Sequence, residues 1–213
     1  MIRMNRRTLL TLPLTALLIR PARAQPLALT PQDAADLNRV ETYLNTIHAL
    51  KAHFLQVGPS GDTSQGTAWL ERPGRMRFEY DPPSPFVLIA GHGVVLFHDK
   101  QLNQTSNYPT GSTPLGILLA DKIVLGGDIT VTRIGRQPGQ LQVTLVRTAA
   151  PGDGSITLVF SDNPLTLRQW IVLDAQRKET RVSLYDVQLG GTFDQSLFNV
   201  ALPNYQPAAP RNQ

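Results

Sequence analysis

The chain is 213 residues long and contains no cysteine. That length suits one domain of about 180 residues behind a leader, and the missing thiols exclude disulfides, thiolate metal sites, a cysteine nucleophile and a lipid-modified N-terminal cysteine. Arg3, Arg6, Arg7, Arg20 and Arg23 account for the net charge of +4, so the remainder is close to neutral and gives no electrostatic case for nucleic acid or an anionic membrane surface.

Residues 1–24 read as a cleaved export signal. Met1–Arg7 is basic, Thr8–Ile19 is apolar, and Ala22-Arg23-Ala24 offers a cleavage site before Gln25. The apolar run is too short to span a bilayer comfortably. Arg6-Arg7 admits the twin-arginine route as well as ordinary secretion. No later segment is long and apolar enough to hold the chain in a membrane.

Thr30-Pro31-Gln32-Asp33 is a helix start: a capping threonine, a proline at the first helical position and an acid at the positive end. Leu37, Val40, Leu44 and Ile47 recur at helical spacing, which predicts an amphipathic helix to about Leu50. A strand over Ala52–Val57 follows. Gly66–Tyr80 then reads as a tight hairpin turning at Pro73-Gly74. Ala68, Leu70 and Arg72 share one face of its first strand. Met76, Phe78 and Tyr80 share the apolar face of its second, while Arg75, Arg77 and Glu79 belong in water. Arg72 is out of character on an apolar face. Either it snorkels out at the strand end, or its fixed fork of donors holds something across the mouth of an apolar cavity.

Asp81–Pro85 is a proline-rich loop. Strands are expected at Phe86–Ala90, Val94–His98 and Leu102–Tyr108. Ser112–Ala120 has a helix-start signature with Leu115, Leu118 and Leu119 on one face, weakened by Gly116. Five further strands are expected at Ile129–Ile134, Leu141–Arg147, Ser155–Ser161, Leu165–Leu173 and Thr180–Gln188, separated by turn compositions. A helical turn over Asp194–Phe198, an extended Val200–Pro203 and a loose tail over 204–213 complete the chain. Such short spacings favour an antiparallel meander over βαβ units.

No phosphate loop, zinc-protease motif or nucleophile elbow is present. His92, His98 and Asp99 cluster in sequence, but their spacing fits a solvated turn better than a metal or catalytic site. The reading is a binding protein rather than an enzyme, with neither metal nor cofactor. About ten antiparallel strands in one sheet tend to curl, and a concavity that short helices only partly fill leaves an apolar cavity.

The run Phe54-Leu-Gln56, Gly66-Thr-Ala-Trp-Leu-Glu-Arg-Pro73, Met76-Arg-Phe78 and Tyr80 resembles the LolA family of periplasmic outer-membrane lipoprotein carriers. Pro83, Val87–Ala90, Phe97, Gln104 and Thr113-Pro114-Leu115 with Leu118-Leu119 extend the resemblance. It implies a mainly β (α+β) fold: an incomplete antiparallel β-barrel of about ten to eleven strands, with a lid of two or three helices over an apolar cavity, in a domain spanning 25–203. It implies a monomeric periplasmic carrier in a Gram-negative bacterium, which takes lipoprotein cargo by its acyl chains from an inner-membrane Lol ABC exporter. The carrier would pass that cargo to an outer-membrane, LolB-like receptor. The family's lid-holding arginine falls on Arg72, its aromatic at the cavity entrance on Met76, and its cavity-lining positions on Phe78 and Leu88. Leu70, Tyr80, Phe97 and Leu118 are expected to line the same ligand cavity. The chain departs from the family at Met76 and at Gly91-His92-Gly93, where the family turn reads D-G. The missing cysteine separates it from the lipid-anchored receptor. Two other readings stay open: a periplasmic carrier or sensor of another lipid or glycolipid on the same fold, and a hydrolase using ungrouped residues.

Overall fold

The computed structural model describes residues 27–199; the expected leader, the Val200–Pro203 extension and the tail lie outside that range. Helix α1 spans Pro31–Thr46. Eleven strands follow: β1 Ala49–Val57, β2 Thr63–Glu71, β3 Arg75–Tyr80, β4 Phe86–Gly91, β5 Val94–Asp99 and β6 Gln104–Pro109. The second group is β7 Ile129–Gln137, β8 Gln140–Arg147, β9 Gly154–Ser161, β10 Thr166–Asp174 and β11 Glu179–Leu189. All lie in one antiparallel sheet ordered β6-β5-β4-β3-β2-β1-β11-β10-β9-β8-β7. The first and last strands of the meander therefore pair at its centre, through β1 and β11, and β6 and β7 are left as open edges. The fold is mainly β and the barrel is incomplete, as the resemblance implies.

Curling of the sheet follows from what α1 touches. Tyr43 Oη accepts from the Leu167 amide of β10, Arg136 of β7 donates to Asp33 and Asp36, and Arg72 after β2 reaches the other end of the helix. One helix can meet strands so far apart in the ladder only if the sheet wraps around it. Val40 and Leu44 of α1 are buried with Phe54, Met76, Leu145, Leu158 and Phe160 in one core. Alternation places these residues: along β3, Met76, Phe78 and Tyr80 are buried while Arg75, Arg77 and Glu79 are not.

The start of α1 is a reciprocal cap. Thr30 Oγ1 accepts from the Asp33 amide, and an Asp33 carboxylate oxygen accepts from the Thr30 amide at 2.9 Å. Its end comes four residues earlier than the apolar spacing predicts. Ala49 and Leu50 pair with Glu71 and Leu70 instead of continuing the helix, and the ladder supplies the backbone partners that further helical bonds would have given.

The expected helix over Ser112–Ala120 is not α-helical. It forms two 3-10 segments, Thr110–Ser112 and Pro114–Ile117. Thr113 makes no side-chain cap, and its hydroxyl turns back to the Thr110 carbonyl. A Cβ at position 116 would stand 2.4 Å from the Thr110 carbonyl oxygen, so Gly116 permits a close backbone approach here. The lid is thus one α-helix plus tight turns. At the β4–β5 turn His92 and Gly93 both have positive φ, 51° and 79°. That is the pairing a two-residue hairpin of right-twisted strands requires, so the departure from D-G is accommodated.

The charged outer face of the hairpin is only partly in water. A 3-10 turn over Gln195–Phe198 packs on it: Phe198 is buried, Arg75 Nη1 donates to Gln195 Oε1, and the Arg75 guanidinium lies 5.9 Å from the Phe198 ring centre.

Candidate functional site

The β2–β3 corner is stapled from both sides. The Arg72 amide donates to the His48 carbonyl, and the Gly74 amide to the Leu119 carbonyl, each at 2.8 Å. The first bond joins the corner to the segment leaving α1, the second to the turns after the second 3-10 segment. Arg72 itself is 7% exposed. Its Nε donates to the Ile47 carbonyl at 2.7 Å and its Nη2 to the Leu44 carbonyl. The last carbonyls of a helix lack intrahelical partners and carry its negative end. The last turn of α1 has no basic residue of its own, so Arg72 supplies that charge from the sheet. Burial pulls the Arg72 guanidinium below its usual value, partly offset by Asp121. Its Nη1 is buried without a partner among the described residues.

Two separate spaces lie under the lid. The first is a small space of about 20 Å³, lined by Leu44, Ile47, Leu70, Arg72, Phe78 and Leu118 among others. It has room for about one water. The second is an open cavity of about 460 Å³, with Met76, Phe78, Tyr80, Leu88, Phe97 and Trp170 on its walls. That volume falls in the range of small-molecule sites, roughly 300–1,000 Å³. Thr113, Pro114 and Leu115 cover it, and α1 contributes nothing to its lining.

Phe78 and Trp170 line both spaces and meet edge to face, with ring centres 6.0 Å apart. They are the partition. The eight residues expected around one cavity are thereby divided: Leu70, Arg72 and Leu118 sit on the α1 side, Met76, Tyr80, Leu88 and Phe97 on the open side, and Phe78 between. Met76 is fully buried.

Two participants escape a reading of the sequence. Trp170 lies in the second half of the chain, where alternation marks a strand but no motif singles out a residue. Gln56 does carry a signal, being a polar residue in phase with buried Ala52 and Phe54. Tyr80 Oη donates to Gln56 Oε1 at 2.8 Å. Burial, only partly opposed by that bond, raises the Tyr80 phenol to about 12, so it remains a protonated donor at physiological pH. The histidine–aspartate trio has local roles at most: an Asp99 oxygen accepts from the Gln101 and Leu102 amides of its own turn, and His98 Nδ1 meets Thr105 Oγ1.

A family model described as "Outer membrane lipoprotein carrier protein LolA" matches residues 45–201. This chain belongs to the LolA family. That family is one of carriers rather than enzymes, and it is periplasmic. The outer-membrane lipoprotein carrier protein of Methylococcus capsulatus is 27% identical over 82% of this chain and 85% of its own. That of Chromohalobacter salexigens is 26% identical over 88% and 92%. Among solved structures, the LolA superfamily protein NE2245 of Nitrosomonas europaea superposes with a TM-score of 0.41 at 9% identity, over 81% of this chain and 99% of that one. No helix among the described residues is long and apolar enough to cross a membrane. Within the LolA frame, the division of the apolar space by Phe78 and Trp170 is the feature from which a mechanism has to start.

Proposed function

We propose that the protein carries lipoproteins across the periplasm by burying their acyl chains between sheet and lid. The observation that carries this reading is an apolar cavity of about 460 Å³ next to a smaller apolar space whose roof, α1, is held by Arg72. Residues 1–24 serve as the cleaved export signal and 25–203 as the carrier domain. Cargo arrives from an inner-membrane ABC exporter and leaves to an outer-membrane receptor.

An acyl chain first fills the open cavity, where it replaces water against Tyr80, Leu88 and Phe97. Each buried methylene contributes about 0.8 kcal/mol. Further length requires Phe78 and Trp170 to part and the smaller space to expand, which lifts α1 and breaks the two Arg72 bonds to Leu44 and Ile47. Net affinity is then acyl burial minus the lid contacts given up. A small difference of that kind suits hand-off, because a receptor needs only a modestly drier site to take the cargo.

Depletion of the protein in its source cell, followed by fractionation of lipoproteins between the two membranes, tests the reading. Accumulation at the inner membrane is expected. Unchanged sorting would contradict it, and extraction of the bound lipid would then identify the true ligand.

A further inference from the structure

The open cavity has a polar rim at one end, built by three adjacent strands. Gln56 is the last residue but one of β1, Thr180 the second of β11 and Asp174 the last of β10, and all three line the cavity. Each is in phase with the inward residues of its strand: Phe54 for Gln56, Val182 and Leu184 for Thr180, Trp170 and Val172 for Asp174. The ladder fixes their neighbourhood, since Gln56 pairs with Val182 and Thr180 pairs with Val172. Thr180 therefore stands on the strand between the other two.

Asp174 is the one charged side chain among the described residues that line this cavity. Its Oδ1 is occupied, accepting from the Gln176 and Lys178 amides at 2.9 and 2.8 Å. These bonds hold the carboxylate in place, and its other oxygen has no described protein partner. Arg177 and Lys178, in the same turn, are exposed and do not line the cavity. Arg72 lies beyond the Phe78–Trp170 partition. A carboxylate or phosphate headgroup at this rim would meet a like charge, with no cation in the cavity lining to pair it. A neutral ester or amide would instead meet the Gln56 amide and the Thr180 hydroxyl, both of which can donate and accept.

We infer that this rim is a headgroup filter: the cavity takes acyl chains attached through neutral or cationic groups and rejects free fatty acids and anionic phospholipids. The inference rests on the acyl-carrier reading and adds its selectivity.

The test uses three matched ligands, N-palmitoyl-glycinamide, N-palmitoyl-lysinamide and the α-amide of N-palmitoyl-aspartate, whose headgroups are neutral, cationic and singly anionic. Each displaces an uncharged fluorescent acyl probe from the full mature chain, below the micelle threshold and at neutral pH. The first two should compete at concentrations roughly tenfold lower than the third, the size expected for one like-charge contact at a partly wet rim. Asp174→Asn keeps one oxygen for the turn amides and should shrink that gap to about threefold or less. Thr180→Lys places a cation on the same rim and should reverse the order. Equal competition by all three ligands in the unaltered protein overturns the filter, as does a gap that Asp174→Asn leaves unchanged. Displacement by none of them overturns the acyl-carrier reading itself.

Discussion

Arg72 is a buried cation with two strong bonds and one unpartnered nitrogen. Bonds from a charged donor contribute about 1.5–3 kcal/mol each, but the guanidinium's own burial opposes them. Replacing it with leucine should therefore change global stability little, by about 1 kcal/mol or less in urea denaturation, while freeing the end of α1. The consequence for binding depends on chain length. Arg72→Leu should tighten binding of a palmitoyl ligand about tenfold, because less lid contact is given up, and leave an octanoyl ligand that fits the open cavity unaffected. Trp170 makes the partition observable. Trp69, the other tryptophan, points away from the buried face of β2 beside Lys51. In a Trp69→Phe background the emission of Trp170 should shift on ligand binding, and an unchanged spectrum under saturating ligand would remove it from the site. Trp170→Ala should cost roughly 3–5 kcal/mol, the usual penalty for emptying a large buried ring, and should merge the two spaces.

At the scale of elements, α1 is fastened at both ends by arginines of the sheet. Arg72 holds its C-terminal carbonyls, and Arg136 of β7 donates to Asp36 at 2.8 Å and to Asp33 at 2.7 Å. The Asp33 carboxyl is held at about 2 by the Thr30 backbone and hydroxyl and by Arg136, against an ordinary value of 3.8. Asp36 is also lowered: burial opposes its ionisation, but bonds from Arg136 and Gln32 outweigh it. Depressed carboxyls contribute stability that is present above their unfolded value and is lost as pH falls through the folded one. Arg136→Gln should thus lower the melting temperature by a few degrees at neutral pH, and that deficit should close between pH 3.8 and about 2. A deficit that persists undiminished at the acid end would mean that Arg136 acts by packing alone. The start of this helix was legible in its capping residues, but its end was not. The same apolar spacing runs on through Ile47 and Leu50, and only the pairing of Ala49 and Leu50 with β2 stops the helix. Gly116 likewise announces a weak helix without revealing the backbone contact that converts it to 3-10 turns.

For the molecule as a whole, strand alternation was enough to place almost every element and to assign the inward faces. Turn residues marked the breaks, and the Arg72–Pro73 corner marked the contact with the end of α1. What alternation cannot convey is how far a sheet curls, and that decides which inward residues share a space. Phe78 of β3 and Trp170 of β10 come from strands four places apart in the ladder, yet their rings meet. One expected cavity becomes two for that reason. The open form of the sheet, with edges at β6 and β7, leaves α1 free to move without breaking any strand pairing.

The central claim, that an acyl chain enlarges the space under α1 by lifting the helix, can be tested by distance. The chain has no cysteine, so spin labels at Thr42→Cys on the exposed face of α1 and Ser106→Cys on exposed β6 are the only attachment points. A pulsed electron-resonance distance distribution, recorded without ligand and with a saturating palmitoylated peptide, should move to longer distances on binding. In an Arg72→Leu background it should already be long without ligand. An unchanged distribution with the peptide demonstrably bound would contradict the claim, leaving the open cavity as the whole of the binding site and α1 as a fixed roof.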